Sequence, residues 1–122
     1  MSNTSYKDYI AYDVLGHIPD ITTRAMFGGW GIYKAGTIVG IIVDGELFLK
    51  SNQNQKTLLE QQGCYPFIYE SKGKKVTMLY MSVPEEVLEN PGAIESRVNA
   101  SYAISQDATK HYDRKRSTKG TS

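Results

Sequence analysis

Between Thr37 and Lys50 the chain reads as two extended runs joined by Asp44-Gly45, and no other feature of the sequence constrains the fold as tightly. A two-residue type I′ hairpin holds both central residues at positive φ, a demand that Asp-Gly meets. The chain must therefore build an antiparallel sheet. In the second run Leu47 and Leu49 point to one face, and Glu46, Phe48 and Lys50 to the other. Upstream, Thr22–Phe27 and Trp30–Lys34 are also extended, with Gly28-Gly29 between them. Paired glycines within a β run predict a bulge or a tight bend, so Thr22 to Lys34 is read as one long bent strand. Ala35-Gly36 marks a weaker turn. Further on, Pro66–Glu70 and Lys75–Met81 form a second hairpin across Ser71-Lys72-Gly73-Lys74, with Val76, Met78 and Tyr80 on one face.

Three helical segments frame these strands. Residues 5–17 carry Tyr6, Tyr9, Ile10, Val14 and His17 at spacings of three and four, so the tyrosines and Ile10 are expected to face the sheet. Gly16 and Pro19 stop this helix. Residues 54–62 form a short helix, capped by Ser51 or Asn52 and ended by Gly63, with Leu58 and Leu59 as its buried stripe. Pro84 opens a turn through Leu88. Asn90-Pro91 then restarts the helix, with Ile94, Val98, Ser101 and Tyr102 at helical spacing. The order is helix, three strands, helix, two strands, helix. That order describes an α+β fold of two layers, α-β3-α-β2-α, an antiparallel sheet covered by helices on one side.

A chain of 122 residues suits one domain. Its boundaries are read as residues 1–106, followed by a basic tail, 107–122, expected to be disordered. The tail carries five basic residues against two acidic ones, while the whole chain has a net charge of only +1. No global field of that size steers the protein to DNA or to an anionic membrane. The single cysteine, Cys64, excludes an intrachain disulfide and a cysteine zinc site. Nothing in Met1–Tyr6 reads as a leader, and the longest apolar run, Ile38–Val43, is far too short to span a bilayer, so a cytoplasmic location is expected.

Several segments also carry a family likeness. Arg24-Ala25-Met26-Phe27-Gly28-Gly29-Trp30-Gly31-Ile32-Tyr33 resembles the opening motif of the N-terminal domain of the TfoX/Sxy family of competence regulators. Asp44-Gly45-Glu46-Leu47-Phe48-Leu49-Lys50 is similar to that family's hairpin. Pro66-Phe67-Ile68-Tyr69, Met78-Leu79-Tyr80 and Pro84-Glu85-Glu86-Val87-Leu88 resemble its later blocks, in the family's order, over roughly residues 20–105. The resemblance implies a fold similar in outline to type III secretion chaperones. It also implies a link to transcription of bacterial competence (DNA transformation) genes, with the cyclic-AMP receptor protein or the transcription machinery as partner. Full-length members carry a second, helical C-terminal domain, and this chain is read as the first domain standing without it.

The residues themselves offer few chemical constellations. Gly28-Gly29-Trp30-Gly31 lacks the Lys-Ser/Thr of a phosphate loop and precedes an extended run, so a backbone role is expected. Trp30, with Phe27, Tyr33, Tyr65, Phe67 and Tyr69, is read as core and rim packing, with a base-stacking platform as the lesser reading. Arg24 is expected to anchor the bend. His17 and His111 do not share a motif, Cys64 reads as a small buried hydrophobe, and Glu85-Glu86 as a solvated helix start. No catalytic residue, metal or cofactor is implied. The expectation is a non-enzymatic regulatory domain acting through protein contacts, as monomer or homodimer. Its interaction residues would be Arg24, Met26, Phe27, Gly28, Gly29 and Trp30. Two alternatives remain: a nucleic-acid module using the tail residues Lys110, Arg114, Lys115 and Arg116 with exposed aromatics, or a small-molecule binder with a pocket between sheet and helices.

Overall fold

The computed structural model describes residues 3–26 and 28–121, with side chains described for 5–26 and 28–107. The chain runs α1 (Asn3–Asp8), a π-helical segment (Tyr9–Val14), β1 (Ile21–Met26), β2 (Gly29–Lys34), β3 (Thr37–Val43) and β4 (Glu46–Lys50). There follow α2 (Gln53–Gln61), β5 (Pro66–Ser71), β6 (Lys74–Ser82), α3 (Glu85–Leu88) and α4 (Pro91–Thr121). The strands form one antiparallel sheet in the order β1-β2-β3-β4-β6-β5. The α+β class and the helix-covered antiparallel sheet are as the sequence predicts. The expected Asp44-Gly45 turn is present, with φ of 52° and 70°.

The first β block holds four strands rather than three. Thr22 to Lys34 is a hairpin, not one bent strand: Met26 pairs with Gly29, and β1 and β2 stay in register back to Ile21 and Lys34. Gly28 takes φ 75°, which reverses the chain within two residues. Gly29 serves a different need, because an added β-carbon there would lie 2.1 Å from the Ile42 carbonyl oxygen on β3.

The N-terminal helix also departs from the expected packing. Its second half is wound with i→i+5 bonds, and the Leu15 N–H donates to the Ile10 carbonyl at 2.8 Å. The wider turn rotates the buried face relative to a 3.6-residue repeat. Ile10, Val14, Leu15 and Ile18 enter the core, while Tyr9 and His17 stay exposed and Tyr6 is only partly covered. The Tyr6 hydroxyl bonds the Leu47 backbone, and burial raises its pKa.

Ile32, Val39, Ile42, Leu47 and Leu49 from the sheet, with Ile94 and Val98 from α4, complete the main core. The outer helix is pinned by hydroxyls. Ser101 donates to the Lys50 carbonyl and Ser105 to the Ile38 carbonyl, both at 2.7 Å. Such small side chains let a helix lie close to a sheet while satisfying carbonyls beneath it. Asn90 caps α4 through the Ala93 N–H at 3.1 Å, and Asn52 caps α2 through the Gln55 N–H at 2.8 Å. Over β6, α2 builds a second small core of Leu59, Cys64 and Met81. The expected partner in that stripe, Leu58, is 59% exposed instead.

Candidate functional site: the open face of the sheet

The helices take one face of the sheet, and the strand register assigns the other. Opposite the core side chains lie Arg24 and Met26 on β1, Gly31 and Tyr33 on β2, and Ile41 and Val43 on β3. Phe48 and Lys50 on β4 and Tyr80 on β6 continue this face. A bulge where Ile32 and Tyr33 meet β3 brings Ile38 onto it as well.

This face is strongly curved. The β5–β6 hairpin is tied to β4 through only three residue pairs, Phe48 with Ser82, Leu49 with Met81 and Lys50 with Tyr80. Its outer half is thus free to coil in the direction that sheet twist favours. The result is a cavity of about 630 Å³ lined by Met26 and Gly29 from the first strands and by Phe67, Tyr69, Val76, Met78 and Tyr80 from the last. Residues from opposite ends of a six-stranded sheet border one space only when the sheet curls around it. The floor is Ile38, Ile41 and Val43. Phe48 packs beside Phe67 with ring centres 5.3 Å apart and meets Tyr65 edge-on at 6.2 Å, and the Tyr65 hydroxyl donates to the Glu46 carboxylate. Met26 and Tyr33 close over Gly31, where a β-carbon would come within 2.9 Å of both side chains.

Polar groups stand on neighbouring rows of this face. The Arg24 guanidinium stands 5.5 Å from the centre of the Tyr33 ring, and the Lys50 ammonium 5.6 Å from that of Tyr80. Burial raises the Tyr80 phenol above its ordinary pKa, and the nearby Tyr33 phenol acts in the same direction. Burial likewise lifts the Glu46 carboxyl. Among the described residues neither Arg24 nor Lys50 forms a salt bridge; the ion pairs are Lys7–Asp8 and Lys56–Glu60.

Of the residues singled out in the sequence, Arg24, Met26 and Gly29 come together on or beside this face, and Gly28 forms the turn next to them. Trp30 borders the cavity, but its register partners are Ala25 and Ile42, its ring packs on the core, and Lys7 lies 4.7 Å above it. Phe27 lies outside the described residues, as do the side chains of Lys110, Arg114, Lys115 and Arg116. This cavity sits on the face away from the helices. Sequence reasoning passed over Ile41, Val43, Val76 and Met78 as site residues. Their signal was the presence of apolar side chains on both phases of β3 and β6.

A second polar feature lies on α4. The Nε and Nη2 atoms of Arg97 are buried without a hydrogen-bond partner, and burial lowers the guanidinium's pKa. Among the described residues no group of three metal-ligating side chains converges, and no helix is long and apolar enough to cross a membrane.

The amino-acid sequence, whose Arg24–Tyr33 segment forms the first hairpin of this curved sheet, matches the TfoX N-terminal domain over residues 13–105. The chain belongs to that family. It is 28% identical to the DNA transformation protein TfoX1 of Aliivibrio fischeri over 75 residues, which covers 62% of this chain and 36% of that protein. It is 26% identical to Protein Sxy of Escherichia coli over 91 residues, 74% of this chain and 44% of that one. The chain thus spans less than half the length of these relatives.

Proposed function

We propose that this domain is a non-enzymatic regulatory module that acts in the cytoplasm through protein contacts, in the transcriptional control of bacterial competence for DNA transformation. The observation that carries this reading is the β5–β6 hairpin. As an edge strand, β5 offers unpaired backbone groups to a partner. On the hairpin face away from the cavity, Ile68 and Leu79 are 51% and 40% exposed. Apolar side chains beside a free strand edge suit a protein partner. The family likeness supplies the partner to try first, the cyclic-AMP receptor protein.

The test is binding of the purified chain to purified cyclic-AMP receptor protein by biolayer interferometry, with wild type, Ile68→Lys and Leu79→Lys compared. The reading predicts saturable binding that each lysine weakens about tenfold or more, with the melting temperature unchanged. Binding that both variants retain in full would remove the hairpin from the account. No binding to this protein or to the RNA polymerase holoenzyme would end the reading.

A further inference from the structure

We propose that the concave cavity of the open sheet face is a binding site for an amphipathic carboxylate, a small molecule with an aliphatic or aromatic body and one anionic head. The site goes beyond the protein-contact reading and does not depend on it.

Size and lining define the body of the ligand. About 630 Å³ falls within the range of small-molecule sites. Met26, Ile41, Val43, Val76 and Met78 line the cavity with aliphatic and thioether groups. The two methionines are unbranched and re-pack around ligands of different outline. A sheet face of this kind left in water is costly, because it exposes contiguous apolar surface.

Charge defines the head. Arg24 and Lys50 reach the open face from β1 and β4, each placed over a tyrosine ring rather than a carboxylate. The rings hold the two cations in place without neutralising them. Lys50 stands over Tyr80 of the cavity wall, and Arg24 lies two residues from Met26 on the same face of β1, so each cation stands at the cavity's rim, on opposite sides. A carboxylate at either rim would accept charge-assisted bonds from the cation that stands there. The Glu46 carboxyl, also on this face, is engaged by Tyr65, and its pKa is raised by burial. Two cations against one carboxyl leave this face positive, so an anionic head is favoured over a neutral one, and a neutral one over a cation.

Titration of the full chain with octanoate, octanol and octyltrimethylammonium, each below its micelle concentration, tests the site. Binding is read by calorimetry and by methyl NMR of labelled methionine. Octanoate should shift Met26 and Met78 saturably and leave Met81, which lies in the α2 core, in place. It should bind about fivefold more tightly than octanol, from one partly solvated charge contact. The Arg24→Gln/Lys50→Gln double variant should bring octanoate down to the affinity of octanol and leave octanol unchanged. Val76→Asp should weaken both. The proposal is overturned by the absence of saturable shifts at Met26 and Met78, by equal octanoate and octanol affinity in the wild type, or by preference for the cationic probe. Self-association of the ligand-free chain that buries Met78 would overturn it as well, since a second copy would then be the occupant.

Discussion

Replacing Gly29 with alanine should destabilise the domain although the backbone at that position is ordinary β structure. The added β-carbon would sit 2.1 Å from the Ile42 carbonyl oxygen, where side-chain carbons do not come within 3.0 Å. Backbone cannot rotate aside as a side chain can, so β2 must move off β3 by most of an ångström. That movement stretches one or two ladder bonds, each worth about 1 kcal/mol. Overpacking of a close contact costs about 1–3 kcal/mol in general. Alanine returns about 0.5–1 kcal/mol by restricting the unfolded chain. The net loss is about 1–2 kcal/mol, or ~4–8 °C in Tm for a domain of this size. Thermal and urea unfolding followed by circular dichroism would measure it. Gly92→Ala in the first turn of α4 is the control, because its β-carbon would meet only the Asn90 side chain at 3.6 Å. It should be neutral or gain about 0.5 kcal/mol. A Gly29→Ala variant as stable as wild type, or no worse than Gly92→Ala, would refute the close approach of β2 to β3.

Other expectations follow from single contacts. Arg97→Met should raise the urea midpoint by about 1 kcal/mol in stability, because it removes a buried guanidinium with unpartnered nitrogens and keeps its packing stem; a lowered midpoint would mean that the charge is compensated. Ser101→Ala should cost about 1 kcal/mol by leaving the Lys50 carbonyl unsatisfied under α4, read by the same unfolding curves. Burial raises the folded-state pKa of Glu46 above its ordinary 4.5. The folded state therefore holds that proton more tightly, and the associated stability is present below 4.5 and lost as pH rises through the folded pKa. Glu46→Gln should accordingly gain in Tm relative to wild type as pH rises above 4.5, and a difference that is flat or reversed would contradict the assignment. A chain cut after Asp107 should keep wild-type Tm within about 2 °C, since Ser105 and Gln106 make the last described anchors of α4 on the sheet.

Local chemistry made much of this fold legible. Asp44-Gly45, Lys72-Gly73 and Asn90-Pro91 act within two residues of themselves, and each marks the turn or helix start read from it. The strand alternation of Leu47 and Leu49 against Phe48 places the two faces of β4 correctly. What the sequence concealed depends on long-range geometry. Gly28-Gly29 carries the same two letters for a bend and for a hairpin, and the pairing of Arg24 with Gly31 decides between them. The π-wound turn sets Leu15, five residues after Ile10, beside it in the core, and Ile18 is buried beyond the helix end read at Gly16. The cavity was hidden for a related reason. Its wall residues lie on strands at opposite ends of the sheet, and only the coiling of a hairpin held by three residue pairs brings them together.

The cavity and the ligand proposed for it rest on a sheet whose second face is open to solvent, and the methionine methyl groups test that directly. With a soluble paramagnetic agent added to the free protein, the methyl of Met78 on the open face should broaden strongly. That of Met81, fully buried beneath α2, should keep its line width. Equal protection of the two methyls would mean that the open face is covered, and the account of a one-sided sheet would fail.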